Sequence, residues 1–173
     1  TSGLYIFGAQ LEQKSYATSY IPTDGTTVTR NQELCNDATP VINSEEGVLY
    51  IEASKLVNGE ISQAIGITDG SNNNLIMIQW NSTANRIYFF SRGGANAYES
   101  FNKNGISQTN MNKIALVWDS VNFSGWINGV KVGTLAITNP PIGLNNLGFE
   151  VGSAKFFGNT KGLKYYPKAL ADV

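Results

Sequence analysis

Histidine is absent from this 173-residue chain, and cysteine occurs once, at Cys35. Without an imidazole the chain has no Ser–His or Cys–His nucleophilic pair and no histidine-based metal site. A single cysteine cannot close an intrachain bridge, which excludes a disulfide framework. Folding must therefore rest on a hydrophobic core, and a chain of this length can bury roughly 70% of its unfolded surface.

Charge is also scarce. Charged residues make up 14% of the chain, and the formal net charge is −1. This balance offers no basic surface of the kind that attracts nucleic acid or an anionic membrane. No apolar run approaches the roughly 18–20 residues of a membrane-spanning helix. We therefore predict neither nucleic-acid binding nor membrane insertion.

Turn residues and short alternating segments dominate what is present, including 18 glycines. Between turn signals, apolar and polar residues alternate in the pattern of half-buried strands, roughly ten in all. The predicted strands cover residues 4–7, 47–56, 62–70, 75–80, 86–94, 112–119, 123–135, 147–153 and 162–167. The segment 112–119 is the most apolar, which predicts a central strand buried on both faces. Asn128-Gly129 predicts a two-residue hairpin turn.

These segments predict an all-β fold, an antiparallel β-sandwich of the jelly-roll kind. A β-propeller fragment would show a repeat of roughly 40–50 residues, and none is visible. An immunoglobulin-like sandwich would need only about 100 residues and seven strands. We assign the sandwich to residues 34–173 and expect residues 1–33 to form an extended N-terminal arm, or the end of a preceding domain.

Acidic residues do not form a catalytic pattern. Retaining glycoside hydrolysis needs two carboxylates about 5–5.5 Å apart, which alternate positions on one strand can supply. Glu52 has Tyr50 and Ser54 as its same-face neighbours, whereas Glu45 and Glu46 are adjacent and would point to opposite faces. A pair assembled across strands, or lyase chemistry by Tyr, Arg and Lys, stays open. The prediction is that the chain is not an enzyme.

Aromatic and planar polar side chains suit sugar binding instead, since aromatic faces pack on pyranose C–H groups and planar polar groups bond hydroxyls. In the segment 86–92, the even-numbered residues share one face, which we expect to be exposed and concave. The candidate ligand-binding residues are Arg86, Tyr88, Arg92, Tyr98 and Trp126. Trp118 follows apolar residues and is predicted to be core, and Trp80 has apolar neighbours on both faces.

Two segments resemble one superfamily. The stretch WDSVNFSGWINGVKVGTL at residues 118–135 and the ending GLKYYPKALADV resemble the concanavalin A-like lectin and glucanase superfamily, which includes the laminin G-like domains. The resemblance covers about residues 47–173 and implies a jelly roll, often with calcium at its rim. Asp69, Asp119 and Asn122 are the candidate calcium ligands here. No other cofactor is expected.

The opening of the chain resembles a narrower group. Bacteriophage tail-fibre and other virion-appendage proteins often carry a similar segment just before such a sandwich. The matching residues are Gly8–Glu12, Ser19–Thr23, Gly25 and Thr29-Arg30. The chain departs from the pattern at Gln13-Lys14, where relatives often have glycine, and at Gln32-Glu33, where they often have aspartate.

This resemblance implies a module of a fibre or spike on the virion surface. Its expected partners are a host surface glycan and other virion protein domains, and a homotrimer stays open. Two alternatives remain. One is a purely structural, decorating or oligomerising module of the virion, and the other is a carbohydrate-binding module of a polysaccharide-degrading enzyme.

Overall fold

The computed structural model describes residues 11, 20–29, 41–95 and 98–169. The chain divides into two compact units, Thr1–Glu33 and Leu34–Val173. In the first unit, Asp24 and Gly25 have φ values of 38° and 81°, in a turn closed by the Thr26 amide, which donates to the Thr23 carbonyl at 2.8 Å. The strand predicted at residues 4–7 lies outside the described residues, as does Cys35.

In the second unit the described residues form strands and turns and no helix. The strands are β1 (Gly47–Lys55), β2 (Gln63–Thr68), β3 (Leu75–Trp80), β4 (Arg86–Arg92), β5 (Glu99–Asn104), β6 (Asn112–Trp118), β7 (Asn122–Ile127), β8 (Val130–Ala136), β9 (Asn146–Gly148), β10 (Glu150–Val151), β11 (Ala154–Lys155) and β12 (Gly158–Tyr166). Among the described residues, no helix is long and apolar enough to span a bilayer.

The strands form two five-stranded antiparallel sheets and one small hairpin. Sheet 1 has the order β12-β1-β6-β7-β8, sheet 2 has the order β5-β4-β3-β2-β9, and β10 pairs with β11. Side chains alternate along each strand, so each sheet sends one row of residues inward and one outward. The predicted antiparallel β-sandwich is confirmed.

The core lies between the sheets and consists of inward-facing aliphatic and aromatic side chains. Ile51 of β1, Ile114 of β6 and Phe89 of β4 are fully buried there. Trp80 and Trp118 are 0% and 1% exposed, which places both indoles in this core. The prediction for Trp118 is confirmed, and Trp80 is a core residue rather than a surface one.

The prediction that residues 112–119 are buried on both faces is wrong. β6 is central in sheet 1, but its outward residues are exposed at Lys113 and only half-buried at Val117. All six residues of β2 are buried instead, because the β10–β11 hairpin lies over its outer face. A Cβ on Gly66 of β2 would come within 3.0 Å of the Val151 side chain, so the hairpin packs directly on the strand backbone.

The predicted turn at Asn128-Gly129 is confirmed. The two residues have φ values of 52° and 83°, as a type I′ turn between β7 and β8 requires. The Asn128 side chain also stabilises the neighbouring strand, because its Oδ1 accepts a hydrogen bond from the Lys113 amide at 2.9 Å. This hairpin forms the edge of sheet 1.

Candidate functional site

A groove of about 570 Å³ lies on the outer face of sheet 2. Its floor is formed by Met77, Gln79 and Phe90, which project outward from β3 and β4. The remaining lining residues are Ile61, Ser62, Asn72, Tyr98, Val151, Gly152, Ser153, Ala154, Lys155 and Phe157. The β10–β11 hairpin therefore forms one wall, and the β1–β2, β2–β3 and β4–β5 loops complete the rim.

The floor results from strand alternation and register. Met77 pairs with Phe90, and Gln79 pairs with Tyr88. The Phe90 ring stacks on the Tyr88 ring with centroids 5.3 Å apart and meets the Tyr98 ring edge-on at 5.6 Å. Tyr98 is 44% exposed. An accessible aromatic surface thus leads from solvent into the groove.

Arg92 connects two of the loops that line the groove. Its guanidinium carbon lies 4.7 Å from the centroid of the Tyr98 ring, and its Nη1 donates to the Asn72 carbonyl at 2.7 Å. Its Nη2 donates to the Ala95 carbonyl at 3.3 Å. These contacts fix Tyr98 relative to the β2–β3 loop, so Arg92 acts on the groove through its neighbours.

A buried polar network fixes the loop between β1 and β2, which carries Ile61 and Ser62. Lys55 is 2% exposed, and its Nζ donates to the carbonyls of Gly59 and Ile61. The Gln108 side chain accepts from the Gly59 amide at 2.7 Å. Burial lowers the pKa of Lys55 below its ordinary value of 10.5. Buried and part-buried hydrogen bonds therefore hold this part of the groove rim in place.

Four of the five predicted ligand-binding residues lie on one side of the molecule. Arg86, Tyr88 and Arg92 share the outer face of β4, and Tyr98 precedes β5. Of the four, Tyr98 lines the groove, whereas Arg86 donates to Asn104 Oδ1 at 2.8 Å. Trp126 is separate from them. It lies half-buried on the outer face of sheet 1, with Lys131 Nζ 5.6 Å from its ring centroid.

Sequence reasoning missed several residues of the groove, chiefly Met77, Gln79, Lys155 and Phe157. For Gln79 a signal existed, since it alternates with Met77 on a strand and is polar. Lys155 and Phe157 carried no comparable signal, because they come to the groove through a hairpin of two-residue strands. The ligand-binding role of the five predicted residues stays a prediction.

The predicted calcium ligands lie in two different turns. Asp69 accepts hydrogen bonds from Ser71 Oγ at 2.7 Å and from Asn74 Nδ2 at 2.8 Å, and these bonds lower the pKa of its carboxyl. Asp119 Oδ1 accepts from the Asn122 amide at 2.7 Å in the β6–β7 turn. In the ranges described, no three His, Cys, Asp or Glu residues form a metal-binding group. Calcium binding stays a prediction.

The groove holds one charged side chain among its lining residues, Lys155, and no carboxylate. Lys155 Nζ lies 3.7 Å from Glu150 Oε1 across the hairpin. Glu52 lies on sheet 1, where it pairs with Lys161 at 3.2 Å. Within the described residues the groove can bind through aromatic, amide and hydroxyl groups, and it presents no carboxylate pair for hydrolysis.

Comparison with known proteins identifies the class of fold. The CBM40 module of Ruminococcus gnavus IT-sialidase, bound to alpha2,3 sialyllactose, is similar over 73% of this chain and 78% of its own, at 15% identity and a TM-score of 0.60. The leech intramolecular trans-sialidase is similar over 75% of this chain and 22% of its own, at 16% identity and a TM-score of 0.59.

The binding domain of botulinum neurotoxin DC, in complex with rat synaptotagmin II, is similar over 74% of this chain and 33% of its own, at 16% identity and a TM-score of 0.54. No family model and no curated protein matches the sequence. At 15–16% identity, these structural similarities define the fold alone. The chain is an antiparallel β-sandwich of the architecture that carbohydrate-binding modules use.

Proposed function

We propose that this chain is a non-catalytic glycan-binding module whose groove on sheet 2 holds the sugar. The observation that carries this proposal is the arrangement of Phe90 and Tyr98 beside the amides of Asn72 and Gln79 in one groove. Aromatic faces pack against the C–H groups of a pyranose ring, and side-chain amides both donate to and accept from its hydroxyls. These are the two contacts that sugar recognition requires.

Two further observations support the proposal. The R. gnavus module of the same fold was solved with sialyllactose, so the architecture can hold a sugar. The lining residues include no carboxylate, whereas glycoside hydrolysis uses a pair of them. Binding without turnover is the activity that these groups can perform.

The biological setting that we propose is a fibre or spike on the surface of a virion, with a glycan of the host surface as the ligand. The support for this setting is the resemblance of residues 8–30 to the segment that precedes such sandwiches in virion appendages. Contacts with other virion protein domains follow from the same resemblance. In this setting, the proposed role of the sugar-binding groove is attachment of the virion to its host.

A glycan array probed with the whole chain tests the proposed function. We expect retained spots for the parent chain and, for Tyr98→Ala, an affinity about tenfold lower, equivalent to about 1.4 kcal/mol. Trp126→Ala is the matched control, because it removes a half-buried aromatic side chain from the opposite sheet. It should leave the array signals within about twofold of the parent.

Three outcomes would contradict the proposal. An inert array, together with a stable trimer by light scattering, would favour the structural module. Loss of binding in Trp126→Ala but not in Tyr98→Ala would move the site to sheet 1. Release of new reducing ends from a bound polysaccharide would make the chain an enzyme.

A further inference from the structure

The floor of the groove contains a single polar side chain, Gln79, between apolar neighbours. On the same face of β3 it is preceded by Met77, and its partners on the adjacent strands are Ala64 and Tyr88. Met77 is 5% exposed and packs with Val151 of the hairpin in a small apolar cluster. The Gln79 amide therefore lies beside an apolar surface at the bottom of an open groove.

This amide keeps most of its hydrogen-bonding capacity. Its one hydrogen bond among the described residues is accepted by Oε1 from Asn81 Nδ2, at the long distance of 3.4 Å. The other two glutamines of the described ranges are engaged more tightly. Gln63 accepts from the Phe157 amide at 2.8 Å, and Gln108 donates to the Arg86 carbonyl at 2.7 Å. Gln79 is thus the glutamine that can bind a ligand.

We propose that the groove selects sugars that carry an acetamido group, an inference that rests on the proposed function. A primary amide can donate to the carbonyl of a secondary amide and accept from its N–H, which satisfies both groups of the acetamido substituent. The acetamido methyl then packs on the half-buried Phe90, at the border of the cluster that contains Met77 and Val151. A hydroxyl at the same carbon would bond to Gln79 and leave this apolar surface without a partner.

The charges around the groove also favour a neutral sugar with an acetamido group. Lys155 already has Glu150 as its partner at 3.7 Å across the hairpin. Its charge is therefore partly compensated, and the described residues supply no second lining cation to hold a carboxylate or sulfate group. With no lining carboxylate either, an unacetylated amino sugar has no counter-ion here. A neutral N-acetylated sugar fits both observations.

The experiment compares neutral sugar pairs that differ at one substituent. N-acetylglucosamine and N-acetylgalactosamine are titrated against glucose and galactose by saturation-transfer NMR, with the whole chain. We expect each acetamido sugar to bind about tenfold more tightly than its parent, because one amide hydrogen-bond pair and one buried methyl are added together. The acetamido methyl protons should receive the strongest saturation.

Two variants test whether Gln79 is responsible for the preference for acetamido sugars. Gln79→Met keeps the length of the side chain and removes the amide, so the preference for the acetamido sugars should fall to about fourfold, the remainder being the buried methyl at about 0.8 kcal/mol. Asn102→Met is the matched control, since Asn102 pairs with Tyr88 on the same face and lies outside the groove lining. This control should keep the full preference.

The outcomes separate this inference from the proposed function. Equal binding within each sugar pair, or an unchanged preference in Gln79→Met, would overturn the inference and leave glycan binding standing. Binding of 3′-sialyllactose that Lys155→Met abolishes and Gln79→Met does not change would also overturn it. No binding of any sugar, here or on the array, would contradict the proposed function itself. If Gln79→Met fails to fold, the sugar pairs still decide the question.

Discussion

The outer faces of the two sheets carry similar side chains but have different shapes. On sheet 1, register places Tyr50, Ala115 and Trp126 in one row across adjacent strands, with Lys131 beside the last of them. On sheet 2, Phe90 and its neighbours lie at the bottom of a groove. The difference comes from the β10–β11 hairpin, which rises beside the floor of sheet 2 as a wall.

The two faces therefore differ in how far their aromatic side chains are enclosed, and not in whether they carry aromatic side chains. Trp126 is the largest aromatic residue outside the core among the described residues, yet it does not line the groove, and Lys131 Nζ lies near its ring. Tyr98 is a smaller residue, but Arg92 and the neighbouring loop hold it at the rim of a groove. Sugar binding depends on such enclosure, because a wall adds contacts on a second side of the ligand.

The largest effect should come from a charge placed under the hairpin. Val151 is 6% exposed and packs on Leu75 and Met77, so Val151→Asp would bury an unpaired carboxylate or force the hairpin away from the sheet. We expect a loss of about 3 kcal/mol in the free energy of unfolding, measured by urea denaturation. Sugar binding should disappear with it.

The same substitution in the hairpin of sheet 1 is the control. Val130 is 64% exposed, and Val130→Asp should change the free energy of unfolding by no more than about 0.5 kcal/mol. Similar losses at the two positions would show that the β10–β11 hairpin is not packed as a wall on sheet 2.

A smaller effect is expected from glycine substitutions in the two hairpin turns. Gly152 and Gly129 have φ values of 63° and 83°, so alanine at either position costs about 1–2 kcal/mol of backbone strain. A Cβ at Gly152 would also lie 3.1 Å from Asn72 Nδ2, whereas a Cβ at Gly129 meets nothing within 4 Å. Gly152→Ala should therefore lower sugar affinity as well, and Gly129→Ala should not.

Thermal unfolding and sugar titration of both variants check this comparison. Equal stability losses with an affinity change in Gly152→Ala alone would support a role of the β10–β11 turn in shaping the groove. An affinity change in Gly129→Ala would couple sheet 1 to the ligand and remove the distinction between the two faces.

The smallest effect concerns the loop that carries Asn72. Hydrogen bonds from the Ser71 hydroxyl and the Asn74 amide lower the pKa of Asp69 from its ordinary value of 3.8. Because the folded value is the lower one, these bonds contribute stability above pH 3.8, and the contribution is lost as pH falls through the folded pKa. Carboxyl ¹³C NMR should show an Asp69 midpoint below 3.8.

Ser71→Ala should move that midpoint back toward 3.8, since it removes the largest cause of the shift. An Asp69 midpoint at or above 3.8 in the parent chain would contradict the hydrogen bonding of this loop. Sugar affinity measured across the same pH range would show whether an ordered loop at Asn72 helps to form the groove.

Much of the fold could be predicted because the longer strands alternate clearly. In β4 the sequence pattern correctly predicted the alternation, with the odd-numbered residues buried, although the even-numbered face is half-buried and not exposed. Asn128-Gly129 specified its turn for a local reason, since both residues tolerate positive φ. The shared face of Arg86, Tyr88 and Arg92 followed from the same alternation.

Other parts depend on contacts that no local pattern encodes. β5 (Glu99–Asn104) was not predicted, because it is a mostly polar edge strand whose one inward aromatic, Phe101, stacks on Phe89 at 5.0 Å. The segment 147–153 was predicted as one strand and forms two, one in sheet 2 and one in the hairpin. A strand of two residues is too short to show a period, and its position over β2 is set by packing distant in sequence.

The apolar residues under the hairpin form a cluster of their own, Ala64, Leu75, Met77 and Val151, separate from the main core. Among the described residues, none that lines the groove belongs to the main core between the sheets. Phe149 and Phe156 flank the β10–β11 hairpin and pack in the main core. The segment between these two phenylalanines can therefore be exchanged for one of other length or chemistry while the inward-facing rows stay intact. Such a division allows one scaffold to acquire new specificities through replacement of a single short peptide.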